Sequence, residues 1–375
     1  MDRGGIGHTG VDRAWIDGKP ATLDAATVEA ARLLSESRLP VIAGLGTDVA
    51  GARAAIMLAE RLGGVIDHMH AGALLRDLDV AREARVMLTT PNEARMRADT
   101  VLLVGPHLTA AWPELAPHLL DAPMGHEAMS GERQIFALCA GKVPTKRAGT
   151  AIESVGRSIG ELPDLLAALR ARLAGRPVGK FSVAAKRLDA LATALQAARF
   201  GVAVWSSASL DALSIELLCG LVADLNAKTR FSGLPLAPSD NAAGVLQVCG
   251  WMTGFPMRTG FGRGSPEHDP WRFDAARMIE SGEADCALWV SAYRDLPPSW
   301  TRKLPTIVLG AADTGNAPHV HIAVGHPGVD HDAIEYLAST DTLGTVAAKK
   351  KTNRLSVADA IGRISAQLRP DDRRC

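Results

Sequence analysis

Two histidines separated by one residue are the sharpest candidates for chemistry in this sequence. His68 and His70 follow residues 65–67, a Val-Ile-Asp segment that predicts a short strand. In some barrel hydrolases, two histidines separated by one residue at the end of a strand are the first ligands of a zinc site. Ordinary polar histidines are the alternative interpretation, because the regular repeats of an eight-fold barrel are not evident. Further zinc ligands could come from His319, His321, His326 and His331.

A glycine-rich segment precedes these histidines. Residues 41–43 predict a strand that breaks at Gly44 and Gly46, and Thr47 or Asp48 could cap a helix over residues 50–62. Bare backbone N–H groups and a helix N-terminus attract anions. The glycine spacing differs from that of a dinucleotide fingerprint, so a structural turn and a present or former phosphate site both stay open.

Composition excludes several classes of partner. The chain has 375 residues, with 41 basic and 41 acidic ones and a formal net charge of zero. Such a balance argues against nucleic acid or an anionic membrane as the main partner. No apolar stretch approaches the ~20 residues of a membrane helix, and residues 1–15 lack the apolar core of a signal peptide. We therefore expect a cytoplasmic protein.

The cysteines do not form a metal-binding pattern. They stand at positions 139, 219, 249, 286 and 375, without a Cys-x-x-Cys pair. Most lie in apolar runs, which is typical of buried, unreactive thiols. The sequence also lacks a Gly-x-Ser-x-Gly elbow, a Walker loop and a His-Glu-x-x-His helix.

Alternating strands and helices predict an α/β fold with two lobes. Residues 38–46 align without a gap on residues 199–207, and a helix follows each segment. We interpret the two segments as equivalent units of one sheet. This predicts a discontinuous first lobe of residues 1–66 and 180–375, and an inserted second lobe of residues 67–179. Buried strands are also predicted over residues 100–104, 134–139, 231–236, 286–290 and 306–309.

With these residues in view, the chain resembles the B subunit of formylmethanofuran dehydrogenase, in the molybdopterin oxidoreductase superfamily. The likeness is carried by PVIAGLGTDVAGARAAIMLAERLGGVID, by ARMRADTVLLVGPH and, most specifically, by GWMTGFPMRTGFGRGSPEHDPWRFDAARMIESGEADCALWV. The resemblance implies two Rossmann-like three-layer α/β lobes. It also implies that the loops GLGTDVAG and SDNAAG line a pterin cleft, which makes Gly44, Gly46, Asp240 and Asn241 vestigial cofactor positions.

The departures from this family indicate a lost redox function. After the ID of GGVID, the family has a cysteine or selenocysteine that binds molybdenum or tungsten. The corresponding stretch here is HMHAGALL, so Ala71, Gly72, Ala73 and Leu74 occupy the ligand region. Alanine cannot replace a thiolate ligand. The family's cysteine-rich iron–sulfur segment is also expected to be missing. We therefore predict no pterin, metal or iron–sulfur cofactor.

Within this family, the chain is similar to the B subunit of a formyltransferase/hydrolase complex. That resemblance implies a non-catalytic scaffold whose partners are the A, C and D subunits. Zinc hydrolysis would belong to the A subunit, and formyl transfer from tetrahydromethanopterin to a methanofuran-type carrier would belong to the D subunit. Two alternatives stay open: an active molybdenum or tungsten oxidoreductase, and a freestanding zinc hydrolase built on His68 and His70.

Overall fold

The chain divides into two structural units, and the second is inserted into the first. Unit 1 comprises residues 1–71, 240–336 and 343–375, and unit 2 comprises residues 72–239 and 337–342. The computed structural model describes residues 13–84, 86–125, 132–142, 144–147, 149–179, 181–295, 298, 300, 303–311 and 318–369. Cys375 lies outside these residues.

The elements alternate along most of the chain. The helices are α1 (Leu23–Glu36), α2 (Val49–Leu62), α3 (Ala71–Ala84), α4 (Pro91–Arg97), α5 (Leu108–Ala111), α6 (Leu162–Leu173), α7 (Ala185–Ala197), α8 (Ala212–Leu225), α9 (Ala242–Thr253), α10 (Ala275–Glu280) and α11 (Val357–Gln367). The strands are β1 (Ala14–Ile16), β2 (Lys19–Ala21), β3 (Pro40–Gly46), β4 (Val65–Ile66), β5 (Thr100–Val104), β6 (Gln134–Leu138), β7 (Lys146–Arg147), β8 (Thr150–Val155), β9 (Gly201–Trp205), β10 (Phe231–Pro235), β11 (Thr259–Gly260), β12 (Glu267–His268), β13 (Cys286–Ser291), β14 (Thr306–Gly310), β15 (Val320–Ala323), β16 (Ala333–Leu337) and β17 (Thr342–Val346).

Unit 1 is built on a sheet of nine strands among the described residues, in the order β12-β11-β4-β3-β13-β14-β15-β1-β2. The central strands, from β4 to β15, are parallel. Their residues are buried on both sides, as a parallel sheet covered by helices requires. Phe273, Met278 and Ile279 cover one face, whereas α1 and α2 contact the sheet and α11 packs on both helices.

Unit 2 has a second, mainly parallel sheet in the order β10-β9-β5-β6-β8-β7. Alternate residues of each strand enter two different cores. Leu102 and Phe136 pack with the leucines of α6, α7 and α8. Leu103 and Ile135 pack with α4, α5 and a π-helix over Ala116–Leu120. Three layers result, and the predicted α/β fold of two lobes is confirmed.

The predicted boundary of the inserted lobe is wrong. Val202 lies in β9, which pairs with β5 in unit 2, while Val41 lies in β3 of unit 1. Residues 180–239 therefore belong to the second unit. The repeated strand–helix pattern is real, since α8 follows β9 as α2 follows β3. A local pattern specifies a strand, but pairing with distant strands decides which sheet receives it.

The remaining elements include a hairpin of β16 and β17. No described helix combines the length and apolar character that a membrane span requires.

Candidate functional site

The glycine segment is a bulge in a continuous strand rather than the strand's end. Ala43 pairs with Trp289 and Gly46 with Ser291, so β3 has one residue more than β13 between these pairs. Gly44 has φ = +79° and the buried Leu45 has φ = +51°. A Cβ atom on Gly44 would lie 2.5 Å from the carbonyl oxygen of Val290. Close strand packing therefore explains Gly44 without a ligand.

The helix N-terminus beyond this bulge already holds a carboxylate. Asp48 is the N-cap of α2, and one of its side-chain oxygens accepts a 2.9 Å hydrogen bond from the Gly51 N–H. Asp48 is buried, so its charge occupies the place at which a phosphate would bind. Side chains also cover the neighbouring Gly46. A Cβ atom there would lie 3.1 Å from Met69 Cε and 3.5 Å from Asp240 Cβ.

His68 is held between two backbone groups. Its Nδ1 accepts a 3.0 Å hydrogen bond from the His70 N–H, which assigns the proton to Nε2. Nε2 then donates to the Asp240 carbonyl oxygen at 3.2 Å. Burial, followed by the nearby His70, lowers the pKa of His68 to about 4. The imidazole is therefore neutral at pH 7, and both of its nitrogens are used.

The Asp240 carboxylate joins His70 to Arg294. His70 Nε2 lies 2.9 Å from Asp240 Oδ2, and Arg294 Nε donates to Oδ1 at 2.7 Å. A second guanidinium nitrogen of Arg294 contacts Oδ2, which makes the pair bidentate. The Asp240 side chain is 2% exposed, whereas His70 and Arg294 are 28% and 44% exposed. A buried anion thus fixes two partly exposed basic groups.

Asn241 fixes the backbone of the same loop. Its Nδ2 donates to the Thr47 carbonyl oxygen at 2.8 Å, and its Oδ1 accepts from the Tyr336 N–H at 2.8 Å. Asp240 and Asn241 both have positive φ, at 59° and 55°. Such successive left-handed residues persist only where tertiary contacts hold them. We call His68, His70, Asp240, Asn241 and Arg294 the Asp240 network.

A second buried carboxylate borders this network. Asp67 accepts hydrogen bonds from the His68 N–H at 2.8 Å and from the Ala275 N–H at 3.0 Å. Arg258 Nε lies 3.6 Å from Asp67 Oδ1, and the Arg258 guanidinium also forms an ion pair with Asp274. Burial raises the pKa of Asp67 to about 7, although Arg258 partly opposes the rise. Asp67 therefore joins β4 to the start of α10.

The ligand region implied by the redox relatives is the start of a helix. Ala71 and Leu74 are buried in α3, and Gly72 and Ala73 belong to the same turn. The described cysteines are buried, and burial raises the pKa of each thiol to between about 11 and 12. Residues 71–74 carry no side chain that could ligate a metal ion.

The geometry also gives the zinc alternative no support. Among the described residues, no three His, Cys, Asp or Glu side chains form a group that could hold a metal ion. Three of the other four histidines have contacts of their own elsewhere. His319 accepts from the Thr306 N–H, His321 stacks on Trp15, and His326 contacts the Pro327 carbonyl oxygen.

The structure unites most of the predicted positions and adds one that the sequence analysis missed. Gly46, His68, His70, Asp240 and Asn241 all meet in unit 1. Arg294 was not predicted. It follows β13 by three residues, and side chains after parallel strands commonly converge at one sheet edge. The position of Arg294 shortly after a predicted strand is the sequence feature that could have identified it.

Comparisons with known proteins agree on one kind of subunit. No family model matches the sequence. The chain is 37% identical over 321 residues to the B subunit of the formyltransferase/hydrolase complex Fhc of Methylorubrum extorquens, a match that covers 84% of this chain and 85% of that protein. It is 27% identical to the B subunit of the tungsten-containing formylmethanofuran dehydrogenase 2 of Methanocaldococcus jannaschii, over 82% of this chain and 73% of that protein.

The fold agrees with a solved structure from the same organism as the first relative. The match is to the crystal structure of the formyltransferase/hydrolase complex FhcABCD from Methylorubrum extorquens in complex with methylofuran. The TM-score is 0.84 at 34% sequence identity, and the alignment covers 95% of this chain and 98% of the matched chain.

Proposed function

This chain belongs to the family of the formyltransferase/hydrolase complex B subunit, and from that premise we propose that it is a structural subunit without a catalytic site of its own. The chain spans most of the length of the Methylorubrum relative. Its similarity to the tungsten enzyme is lower, at 27% identity. Descent of a scaffold from a redox protein accounts for both likenesses.

One observation carries this proposal. Protein groups fill the positions at which the family resemblance implies a cofactor. Asp48 caps the helix beside the bulge, Met69 covers Gly46, and Asp240 is paired with His70 and Arg294. The segment from Ala71 to Leu74 offers only aliphatic side chains and glycine. Loss of the pterin, metal and iron–sulfur sites therefore remains our proposal, supported by this geometry.

We further propose that the partners are the A, C and D subunits of the same complex. The matched structure is that of an FhcABCD complex with methylofuran. On the family resemblance, such a complex would move a formyl group from tetrahydromethanopterin to a methanofuran-type carrier and release it as formate. The hydrolysis would occur in the A subunit and the transfer in the D subunit. Nucleic acid is not expected as a partner, and cytoplasmic location stays a prediction that cell fractionation can test.

Purification of the native assembly tests the proposal directly. The chain should be isolated from its own cells by an affinity tag, its partners identified by mass spectrometry, and the preparation assayed for tungsten, molybdenum, iron and oxidised pterin. We expect the A, C and D subunits, with less than about 0.1 mole of each redox component per chain. Stoichiometric pterin with tungsten or molybdenum would establish the redox alternative instead.

A further inference from the structure

A pocket opens in unit 2 at the carboxyl ends of β5 and β6. Its volume is about 170 Å³. A protein cavity of about 150 Å³ lined by aliphatic and aromatic side chains can hold benzene, so the space suits a group of that size. Ligands of α/β proteins commonly bind beyond the carboxyl ends of parallel strands. Size and position therefore both indicate a small-molecule site.

The floor of the pocket is apolar. It consists of side chains that also belong to the hydrophobic core between the sheet and the π-helix, namely Leu103, Leu108, Leu115, Leu120 and Ile152. All are buried in the protein, yet each has a surface that faces the pocket. Transfer of an apolar ring from water onto this floor is favourable in proportion to the area covered.

The rim adds a cationic side chain, that of Lys142. Lys142 follows β6 and is exposed, and no ion pair of Lys142 is found among the described residues. Arg147 also lines the pocket, but it forms a 2.9 Å ion pair with Asp121. Within the described part of the chain, the pocket therefore presents the ammonium group of Lys142, without an ion pair, and the imidazole of His107 beside an apolar floor. One negative charge on a compact apolar body complements that arrangement.

We propose that this pocket binds a small apolar monocarboxylate of about the size of benzoate. The ring lies on the leucine floor, and the carboxylate accepts a hydrogen bond from Lys142 Nζ. A phosphate dianion is a poorer match, because its second charge would lack a partner and the walls are mostly apolar. This inference concerns unit 2 alone and does not depend on the proposed scaffold role.

A fluorine-labelled probe tests the inference. The full-length chain, in the assembly in which it is purified, is titrated with 4-fluorobenzoate, and binding is followed by the ¹⁹F line width of the probe. Wild type should bind saturably at millimolar or lower concentration. Lys142→Met should weaken this binding about tenfold, because a charge-assisted hydrogen bond is lost. Lys146→Met, at an exposed lysine outside the pocket, is the matched control and should change it less than twofold.

Two further measurements locate the probe and separate its two contacts. Thr109→Trp places a ring at the exposed rim and should abolish the Lys142-dependent binding. Neutral 4-fluorobenzyl alcohol should bind wild type more weakly than the benzoate and should be insensitive to Lys142→Met. The proposal is overturned by absence of saturable binding at about 10 mM probe, well above the millimolar affinity expected of so small a ligand, by equal binding in the two lysine variants, or by full binding in Thr109→Trp.

Discussion

Asp240 is the residue that joins His68, His70 and Arg294 in the Asp240 network. Its carboxylate is buried, and a buried charge is tolerated only when it is paired and hydrogen-bonded. Arg294 and His70 supply those contacts. Asp240 itself lies beside Gly46, a position at which the family resemblance implies a cofactor. Charge pairing within the protein therefore stabilises the Asp240 carboxylate, which supports the proposed loss of the cofactor site.

Substitution of Arg294 should reveal how much this pairing contributes. Arg294→Met removes the bidentate donor and leaves Asp240 with His70 as its described side-chain partner, so the free energy of unfolding should fall by about 1–3 kcal/mol. Urea denaturation of the full chain measures the change. Arg263→Met is the control, because Arg263 forms only a surface ion pair with Glu267 and should cost about 0–0.5 kcal/mol. Equal losses in the two variants would contradict the structural role of Arg294.

Asp67 and His68 should have opposite effects on the pH dependence of stability. Folding raises the pKa of Asp67 from 3.8 to about 7, so the folded chain binds the extra proton between these values and stability falls as pH rises. Folding lowers the pKa of His68 from 6.5 to about 4, so the unfolded chain binds the extra proton and stability rises with pH. Each slope is up to about 1.4 kcal/mol per pH unit. The two contributions largely cancel in the wild type.

Single substitutions should therefore reveal the pH dependence of stability that each residue contributes. Relative to wild type, Asp67→Asn should gain stability as pH rises from about 4.5 to about 6.5, because the falling contribution is removed. His68→Gln should lose stability relative to wild type over the same range. Urea midpoints at several pH values, compared as differences between variants, measure both effects. Parallel pH profiles for the three proteins would show that these pKa shifts are absent.

At the scale of elements, local signals predicted most of the strands and helices. Asp48 and Ser356 cap α2 and α11, and Gly63 ends α2 in a left-handed conformation, as their residue types indicate. The start of α3 at Ala71 was not predicted, because residues 71–74 were interpreted as the former metal-ligand region. The bulge at Gly44 was likewise not predictable, because it depends on β13, which is distant in sequence.

Substitution of Gly44 tests the structural origin of the bulge. Gly44→Ala forces a side chain into a left-handed conformation and against the Val290 carbonyl oxygen, so stability should fall by about 2–4 kcal/mol. Gly362→Ala is the matched control. Gly362 lies in α11 with open space around it, and alanine there should stabilise the chain by about 0.5–1 kcal/mol. Thermal unfolding of both variants measures these changes in stability. A Gly44→Ala variant that is as stable as wild type would contradict the proposed role of close strand packing at Gly44.

At the scale of the whole molecule, the sequence predicted the fold class but not the division of the chain. Alternating buried strands and amphipathic helices are local features, and they indicated two α/β lobes. The membership of β9 in unit 2 depends on its hydrogen bonds to β5, which lies far earlier in the chain. The candidate site likewise combines local features, which the sequence showed, with contacts between distant segments, which it did not. His68 and His70 were identified from their spacing, whereas their link through Asp240 to Arg294 required the folded chain.

The activity of the assembled complex gives the final test of the scaffold role. In the structure, His68 and His70 bind backbone and carboxylate groups of their own unit, and no metal-binding group of three includes them among the described residues. His68→Ala with His70→Ala should therefore leave formyl transfer and hydrolysis within a few fold of wild type, per assembled complex. Because His68 is buried, the single variant His70→Ala is measured alongside, and native mass spectrometry checks that every partner is present. Deletion of the whole chain should instead reduce the yield of the A, C and D assembly. A double variant that assembles normally but loses hydrolysis by ~10³ or more, as expected when a metal-activated nucleophile is removed, would show that these histidines are catalytic.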